Sequence, residues 1–326
     1  MMAAFVLASR LSPASGATFN GGLIEAVHIT LKSAPLEAMT PASASPGLQA
    51  ASPNNGSQSR PDLAQPGVHR VMADRVLRTV VAYWDFVAAN ARLDIAVSAE
   101  ARAVSLMQDA GKLIKGDSIP KAEWTRHEAN LARESLRRIG YEQAFVETGA
   151  ALWRAMAEPE LIMTVPSDDF PNLDQAGLRR LTEADGPAEV TGSGPRLSGV
   201  MPAVEARHLQ VMTMLHGLSS NFSLQLIRLK MAAANLERAQ FLVRTEHLVL
   251  AAEKKKYRLG VATTLELLIS EAQLTASQIQ QVEARLAYAL ALARFRFESG
   301  SLLDPASEAP SVDLQRLTTI RSPTVE

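Results

Sequence analysis

Several histidines in this sequence have neighbours that suggest metal binding. His127 is followed by Glu128, as in the HExxH zinc motif, but Leu131 stands where that motif needs its second histidine. His208 and His216 lie eight positions apart, and no third ligand is near them in the sequence. Zinc sites need three or four ligands that converge on one ion. The histidine spacing therefore predicts no metal site.

Motifs for nucleophilic catalysis and phosphate binding are also missing. The sequence has no cysteine and no GxSxG, GxGxxG or GxxxxGK[ST] motif, and the GSG at Gly192 lacks a flanking strand and helix. Asp168 and Asp169 are adjacent carboxylates that could bind a cation, but a polar loop is the favoured interpretation. We therefore predict that the protein is not an enzyme and needs no cofactor.

The amino-acid composition excludes further classes of function. The 326 residues are 47% hydrophobic and only 5% aromatic, and the formal net charge is −1. A chain without a positive surplus is a poor ligand for nucleic acid, so no nucleic-acid partner is predicted. No apolar run reaches the roughly 18 residues that a transmembrane helix needs. The N-terminal apolar run has no preceding Lys or Arg, so it is a poor match to an export signal.

The stretch EKKKYRLGVATTLELLISEAQL, which starts at Glu253, has helical apolar patterns on both sides of Gly260. Glycine inside a helix costs about 1 kcal/mol relative to alanine, so Gly260 is expected to mark a turn. Gly116 stands in the same relation to an earlier pair of helical patterns, where Asp117 or Ser118 can cap the second helix and Pro120 suits its first turn. Both glycines are predicted to be the tips of helical hairpins.

The expected fold is mainly α, with two long antiparallel hairpins and a short β-hairpin near the N-terminus. The run GGLIEAVHITL, together with FVLASRL, suggests that β-hairpin, with a length suited to strands of an outer-membrane barrel. A high content of Pro, Gly and Ser predicts a flexible linker before the first helical hairpin. It also predicts an irregular connection, without helix, between the two hairpins. The predicted segments are the β-hairpin or membrane strands (1–32), linker (33–69), first helical hairpin (70–158), irregular connection (159–202), second helical hairpin (203–303) and tail (304–326).

Apolar residues recur along these helices in alternating steps of three and four, which is the 3.5-residue period of a coiled coil. The outgoing helix of the second hairpin carries two such seams, and two seams imply neighbours on two sides. The seams of the returning helices run through Ala129, Ala132, Leu136, Ile139, Val146, Ala150, Trp153 and Ala157, and through Leu265, Leu268, Ala272, Ile279, Val282, Leu286, Ala289 and Ala293. One seam of the outgoing helix consists of Leu226, Leu229, Ala233, Leu236, Val243, Leu250 and Tyr257. Its other seam consists of Leu224, Ile227, Met231, Ala234, Phe241, Leu248 and Ala252.

The two hairpins form an internal repeat of about 144 residues. AANARLDIA at Ala88 aligns with AANLERAQ at Ala233, Gly116 with Gly260, and EANL with EAQL. The stretch YRLGVATTLELLISEAQLTASQIQQVEARLAYALALARFRFESG resembles the last hairpin of TolC-type outer membrane efflux proteins, with their Tyr-Arg-x-Gly turn and Ala-Gln-Leu stretch. VVAYWDFVAANARLDIA and PSDDFP resemble the first-repeat helix and the mid-chain connection of that family. The resemblance covers about 70–172 and 215–303.

This resemblance implies a homotrimeric efflux channel with a helical periplasmic tunnel, joined to a β-barrel in the outer membrane. It also implies a periplasmic adaptor and an inner-membrane pump as partners. The residues that match the adaptor-docking tips are Arg258, Leu259, Gly260, Val261, Ala262 and Thr263, with Lys115, Gly116, Asp117 and Ser118 as their first-repeat counterparts. Glu266 and its counterpart Glu123 match an acidic position that narrows the tunnel mouth in some members, whereas Ile269 replaces a second acidic position.

The sequence also departs from this family, whose members have two further helices and two membrane strands in each repeat, because it is much shorter and offers at most one pair of strands, near residues 5–31. A shortened protomer that does not conduct ions by itself is therefore expected. The alternative is a soluble helical-hairpin scaffold or an adaptor-like interaction protein without channel activity.

Overall fold

The computed structural model describes residues 22–32, 65–116, 120, 122–157, 165–184, 202–303, 312 and 317–318. These residues form helices and no strand, which confirms the mainly α fold. The helices are α1 (Leu23–Lys32), α2 (Gln65–Lys115), α3 (Ala122–Met156), α4 (Gln175–Ala184), α5 (Pro202–Arg258) and α6 (Thr264–Glu298). No helix in this part of the chain has an apolar stretch long enough to cross a membrane.

The four long helices form two antiparallel pairs. Helix α2 packs against α3, and α5 packs against α6. The returning helices α3 and α6 have the same length, 35 residues, as expected for an internal repeat. Helix α6 also packs against α2, so the long helices follow one another in the order α3, α2, α6, α5. The result is a four-helix wall with α3 and α5 at its two edges.

The largest hydrophobic core lies far from the tips, where α1 covers the wall. Tyr83 and Trp84 of α2 are completely buried there. The Trp84 ring stacks on Phe170 with a centroid distance of 5.7 Å. Phe86 of α2 stacks on Phe145 of α3 at 4.9 Å, so aromatic pairs fix α2 against both its partner helix and the connecting segment.

Asp168 joins three parts of this core. Its Oδ2 accepts hydrogen bonds from the backbone N–H of Leu23 at 2.6 Å and from the hydroxyl of Tyr83 at 3.0 Å. Burial, and then the charge of Asp168, raise the pKa of Tyr83, so this phenol stays protonated. Asp168 therefore attaches the start of α1 and the connecting segment to α2, and its role is structural.

The prediction of strands near the N-terminus is wrong where the structure describes them, because Leu23–Lys32 form helix α1. Leu23, Ala26, Val27 and Thr30 are all completely buried, and their spacing of three and four is that of one helical face. A half-buried strand needs apolar residues at alternate positions, and Glu25 interrupts such an alternation in this run. The other predicted strand lies outside the described residues.

The segment 159–202, which is predicted to be wholly irregular, also contains helical residues. Helix α4 occupies Gln175–Ala184 within it, and α5 begins at Pro202. Asp174 caps α4, since its Oδ1 accepts a hydrogen bond from the backbone N–H of Gly177 at 2.8 Å. Helix α2 begins at Gln65, five positions before the predicted start of the first hairpin.

Candidate functional site at the hairpin tips and the edges of the wall

Gly260 closes the tip of the second hairpin, as the sequence predicted. Its φ is +72°, in the left-handed region that favours glycine. Its N–H donates to the carbonyl of Tyr257 at 3.0 Å, and the N–H of Val261 donates to the carbonyl of Lys256 at 3.0 Å. This pair of hydrogen bonds is a Schellman motif, which ends α5 and satisfies its last carbonyl groups.

Thr263 and Glu266 start the returning helix through a capping box. The backbone N–H of Glu266 donates to Thr263 Oγ1 at 3.3 Å, and the backbone N–H of Thr263 donates to Glu266 Oε2 at 2.7 Å. The hydrogen bonds from the backbone and then from the hydroxyl of Thr263 lower the pKa of the Glu266 carboxyl group. Glu266 is exposed, and its carboxylate has this capping role.

The loop between these two caps presents apolar side chains to solvent. Leu259 is 68% exposed and Val261 is 74% exposed, and the exposed Arg258 and the half-buried Ala262 flank them. Exposed apolar residues at the end of a long hairpin are a surface that a protein partner can bury. Lys256, one turn below, forms an ion pair with Glu253 at 2.6 Å.

The first tip is described only in part. Helix α2 ends at Lys115, Gly116 lies in the turn, and Asp117 and Ser118 are outside the described residues. Helix α3 begins at Ala122, so Pro120 precedes the helix instead of lying in its first turn. The carboxylate of Glu123 lies 3.0 Å from Arg126 Nη1 in the first turn of α3.

Near the first tip, α2 and α3 approach each other closely at Gly111. A β-carbon on Gly111 would lie 3.3 Å from Trp124 Cζ3, which is tighter than ordinary van der Waals contact. Trp124 is fixed in turn by a hydrogen bond from its Nε1 to Glu128 Oε1 at 2.8 Å. Gly116 is the glycine predicted at this tip, but Gly111 is the one that allows this close contact between α2 and α3.

An ion cluster joins the two hairpins just above the tips. Arg102 Nε of α2 lies 2.7 Å from Glu271 Oε2 of α6, and Lys254 Nζ of α5 lies 2.6 Å from Glu271 Oε1. Arg102 Nη2 also donates to Thr275 Oγ1 at 3.0 Å. The Glu271 side chain is 9% exposed, so one buried carboxylate links three helices. No local signal in the sequence marks Glu271 for this role, because Arg102 is 169 positions away in the chain.

His127, whose spacing to other histidines predicts no metal site, is a buried residue of α3. It is 1% exposed, and neither ring nitrogen has a hydrogen-bond partner among the described residues. Burial lowers the pKa of its imidazole, and the charge of Glu123 only partly opposes this effect. In the described part of the chain, no three metal-binding side chains lie together. His127 is a neutral side chain packed at the helix interface.

Both edges of the wall carry exposed apolar stripes. One predicted seam of α5 is buried against α6, and the other is exposed along its length. We call the residues Leu224, Ile227, Met231, Phe241 and Leu248 the α5 stripe; they are 44–74% exposed. The predicted seam of α3 is also largely exposed, and Leu136, Ile139 and Val146, at 51–71% exposure, form the α3 stripe. Neither stripe has a neighbour within the described part of the chain.

Solved structures of outer membrane channels share this arrangement of helices. The CmeC outer membrane channel of Campylobacter jejuni matches with a TM-score of 0.55 and 11% identity over 76% of this chain and 66% of CmeC. The outer membrane protein VceC of Vibrio cholerae matches with 0.56 and 15% over 72% of each chain. The channel protein CusC matches with 0.54 and 11% over 72% of this chain and 70% of CusC.

The present chain thus spans slightly less than two thirds of CmeC. No protein-family model and no curated protein matches the sequence. Identities this low show the fold alone. The described helices have a fold similar to that of TolC-type outer membrane channels.

Proposed function

We propose that this chain is a protomer of an outer membrane efflux channel that assembles as a homotrimer. In this proposal the hairpins form the wall of a periplasmic tunnel, and the end opposite the tips is held at the outer membrane. The observation that carries the proposal is the pair of exposed apolar stripes at the two edges of the wall. Exposed apolar stripes with a heptad period require a helical neighbour.

The positions of the stripes favour a closed ring. The α3 stripe and the α5 stripe lie on the outermost helices, so α5 of one protomer can pack against α3 of the next. Such a head-to-tail contact either closes into a ring or continues as a filament. Channels of similar fold support the closed form, and closure at three protomers gives the tunnel that efflux requires.

The tips are the proposed docking site for a periplasmic adaptor, which connects the channel to an inner-membrane pump. The exposed side chains of Leu259 and Val261, next to the basic Arg258, form the surface that the adaptor would bury. The remaining proposed docking residues are Gly260, Ala262, Thr263, Lys115, Gly116, Asp117 and Ser118. Glu266 and Glu123 are proposed to face the tunnel mouth, where three copies of each would attract cations.

Disulfide trapping tests the ring directly, because the native chain contains no cysteine. The hydroxyl of Ser135 on α3 donates a hydrogen bond to Glu100 of α2. Two positions further along α2, Arg102 forms an ion pair with Glu271 of α6, which also pairs with Lys254 of α5. Ser135 and Lys254 therefore lie at one height of the wall. Ile139 and Leu248 lie one to two turns above that height, on the two stripes.

We expect the double variant Ile139→Cys/Leu248→Cys to form covalent trimers on mild oxidation, since a disulfide needs β-carbons about 4 Å apart. The matched control is Ile139→Cys/His247→Cys, because His247 is exposed but points about 100° away from the stripe on the helix. Covalent trimers in the first variant alone would support the proposal. A chain that remains monomeric would instead favour the helical-hairpin scaffold.

A further inference from the structure

A cavity of about 310 Å³ lies between the tip ends of α2 and α5. Leu106 and Leu113 of α2 and Leu267 of α6 give it apolar walls. Tyr257 of α5 also lines the cavity and packs, with Leu106, against the small hydrophobic cluster around Leu267. Sites for small molecules typically have volumes of roughly 300–1,000 Å³ and mainly apolar walls. The cavity is therefore at the small end of the range that suits an organic molecule.

The charged side chains that line the cavity are mostly cationic. Among the described lining residues, four are Lys or Arg, and Asp109 is the only acidic one. Arg102 and Lys254 already share the carboxylate of Glu271, and Lys112 Nζ lies 2.8 Å from Asp109 Oδ1. Even when Glu271 is counted with the lining, the cations exceed the carboxylates by two. This surplus favours a ligand with a negative charge.

The surplus is concentrated at the end of α5. Arg258 makes no ion pair within the described part of the chain, although it lines the cavity. The neighbouring Tyr257 has a buried hydroxyl group that finds no hydrogen-bond partner among the residues that the structure describes. Buried hydroxyl groups nearly always find a partner, and an arginine fork matches the two oxygens of a carboxylate. An organic anion would satisfy both groups.

We propose that this cavity binds a small amphipathic anion, which has an aromatic or short aliphatic body and a carboxylate or sulfonate group. The body lies against the leucine walls, and the anionic group meets Arg258 and the hydroxyl of Tyr257. A ligand in this place contacts the first hairpin through α2 and the second through α5 and α6. It therefore holds the two tips together, whether or not the chain forms a channel.

The test uses 2-naphthoate as the probe and the purified full-length chain in isothermal titration calorimetry. We expect one saturable site per chain, with affinity for 2-naphthoate about tenfold higher than for the neutral 2-naphthamide. Binding should also weaken as salt rises, because the contact with Arg258 is partly exposed to solvent. Absence of saturable binding, or equal affinity for the amide, would overturn the proposal.

Two variants locate the binding site. Arg258→Gln should weaken 2-naphthoate binding by about tenfold, and Tyr257→Phe by about threefold, since each removes one hydrogen-bonding partner. Arg228→Gln and Tyr141→Phe are the matched controls on α5 and α3, and they should leave the affinity unchanged. If the tip variants bind as well as the controls, the anion binds elsewhere and the assignment is wrong.

A thiol footprint provides a readout that does not depend on these two residues. Leu113→Cys places a single thiol in the wall of the cavity, and Leu136→Cys places one on the exposed α3 stripe. Saturating 2-naphthoate should slow the alkylation of the first thiol by about fivefold or more if the site is filled for most of the time. The alkylation rate of the thiol in Leu136→Cys should not change. Equal alkylation rates of the thiol in Leu113→Cys with and without 2-naphthoate would contradict the proposal.

Discussion

Gly260 is the residue on which the geometry of the second tip depends most directly. A β-carbon there would meet no atom within 4 Å, so the requirement for glycine comes from its φ of +72° and not from crowding. A β-branched residue in this conformation is strained, and we expect Gly260→Val to destabilise the chain by about 1 kcal/mol or more. Urea unfolding, followed by circular dichroism, measures this change.

Substitution of Gly140 provides a control, because its expected effect on stability is opposite in sign to that of Gly260→Val. It lies within α3, has open space around a built β-carbon and does not adopt a positive φ. Gly140→Ala should therefore stabilise the protein by about 0.5–1 kcal/mol, because alanine is the better residue inside a helix. If both substitutions changed stability in the same direction, the conformational explanation of the tip would be wrong.

Some individual positions could be predicted from the sequence, and others could not. Gly260 was predictable because a glycine between two helical patterns is a local signal of a helix end. The capping pair Thr263 and Glu266 has a similar local signal, a threonine followed three residues later by a glutamate. Asp168 has no such signal, because its partners Leu23 and Tyr83 are distant in sequence. The hydrogen bonds of Asp168 become visible only in the folded structure.

At the scale of helices, Glu271 is the main polar connection between the hairpins. Replacing it with Gln leaves Arg102 and Lys254 without their shared carboxylate in a largely buried place. Both cations keep partial access to water, which reduces the cost. We expect Glu271→Gln to lower the free energy of unfolding by about 1–3 kcal/mol, measured by urea denaturation.

Glu283→Gln is the control for this substitution, since Glu283 is an exposed residue of the same helix. Its effect should stay within about 0.5 kcal/mol. Equal effects of the two substitutions would mean that the ion cluster contributes nothing to the contact between α2, α5 and α6.

The long helices were predictable and the short ones were not, for a physical reason. Helices α2, α3, α5 and α6 have enough turns to repeat their apolar period several times, so the pattern is clear in the sequence. Helices α1 and α4 have 10 residues each, and so short an apolar pattern fits a strand or a loop equally well. Packing on α2 and α3 stabilises α1, and a cap at Asp174 starts α4.

For the whole molecule, the two seams of α5 lead to opposite expectations for mutations. Ile227, Phe241 and Leu248 belong to the exposed seam, so replacing all three with Gln removes little burial within the chain. The triple variant should therefore keep the helical content and melting temperature of the native monomer. By contrast, the single substitution Leu229→Gln puts a polar group into a completely buried position of the other seam and should destabilise the fold by several kcal/mol.

The oligomeric state should respond in the opposite way, because it should depend on the exposed seam of α5 and not on the buried one. Each apolar side chain that becomes buried between protomers contributes about 1.5 kcal/mol or more, so loss of the three stripe residues weakens each contact by about a thousandfold. Size-exclusion chromatography with light scattering should then find trimers for the native chain and monomers for the triple variant, at equal protein concentration. Trimers that persist in the triple variant would show that the α5 stripe does not form the contact between protomers, and the open edge of the wall would need another partner.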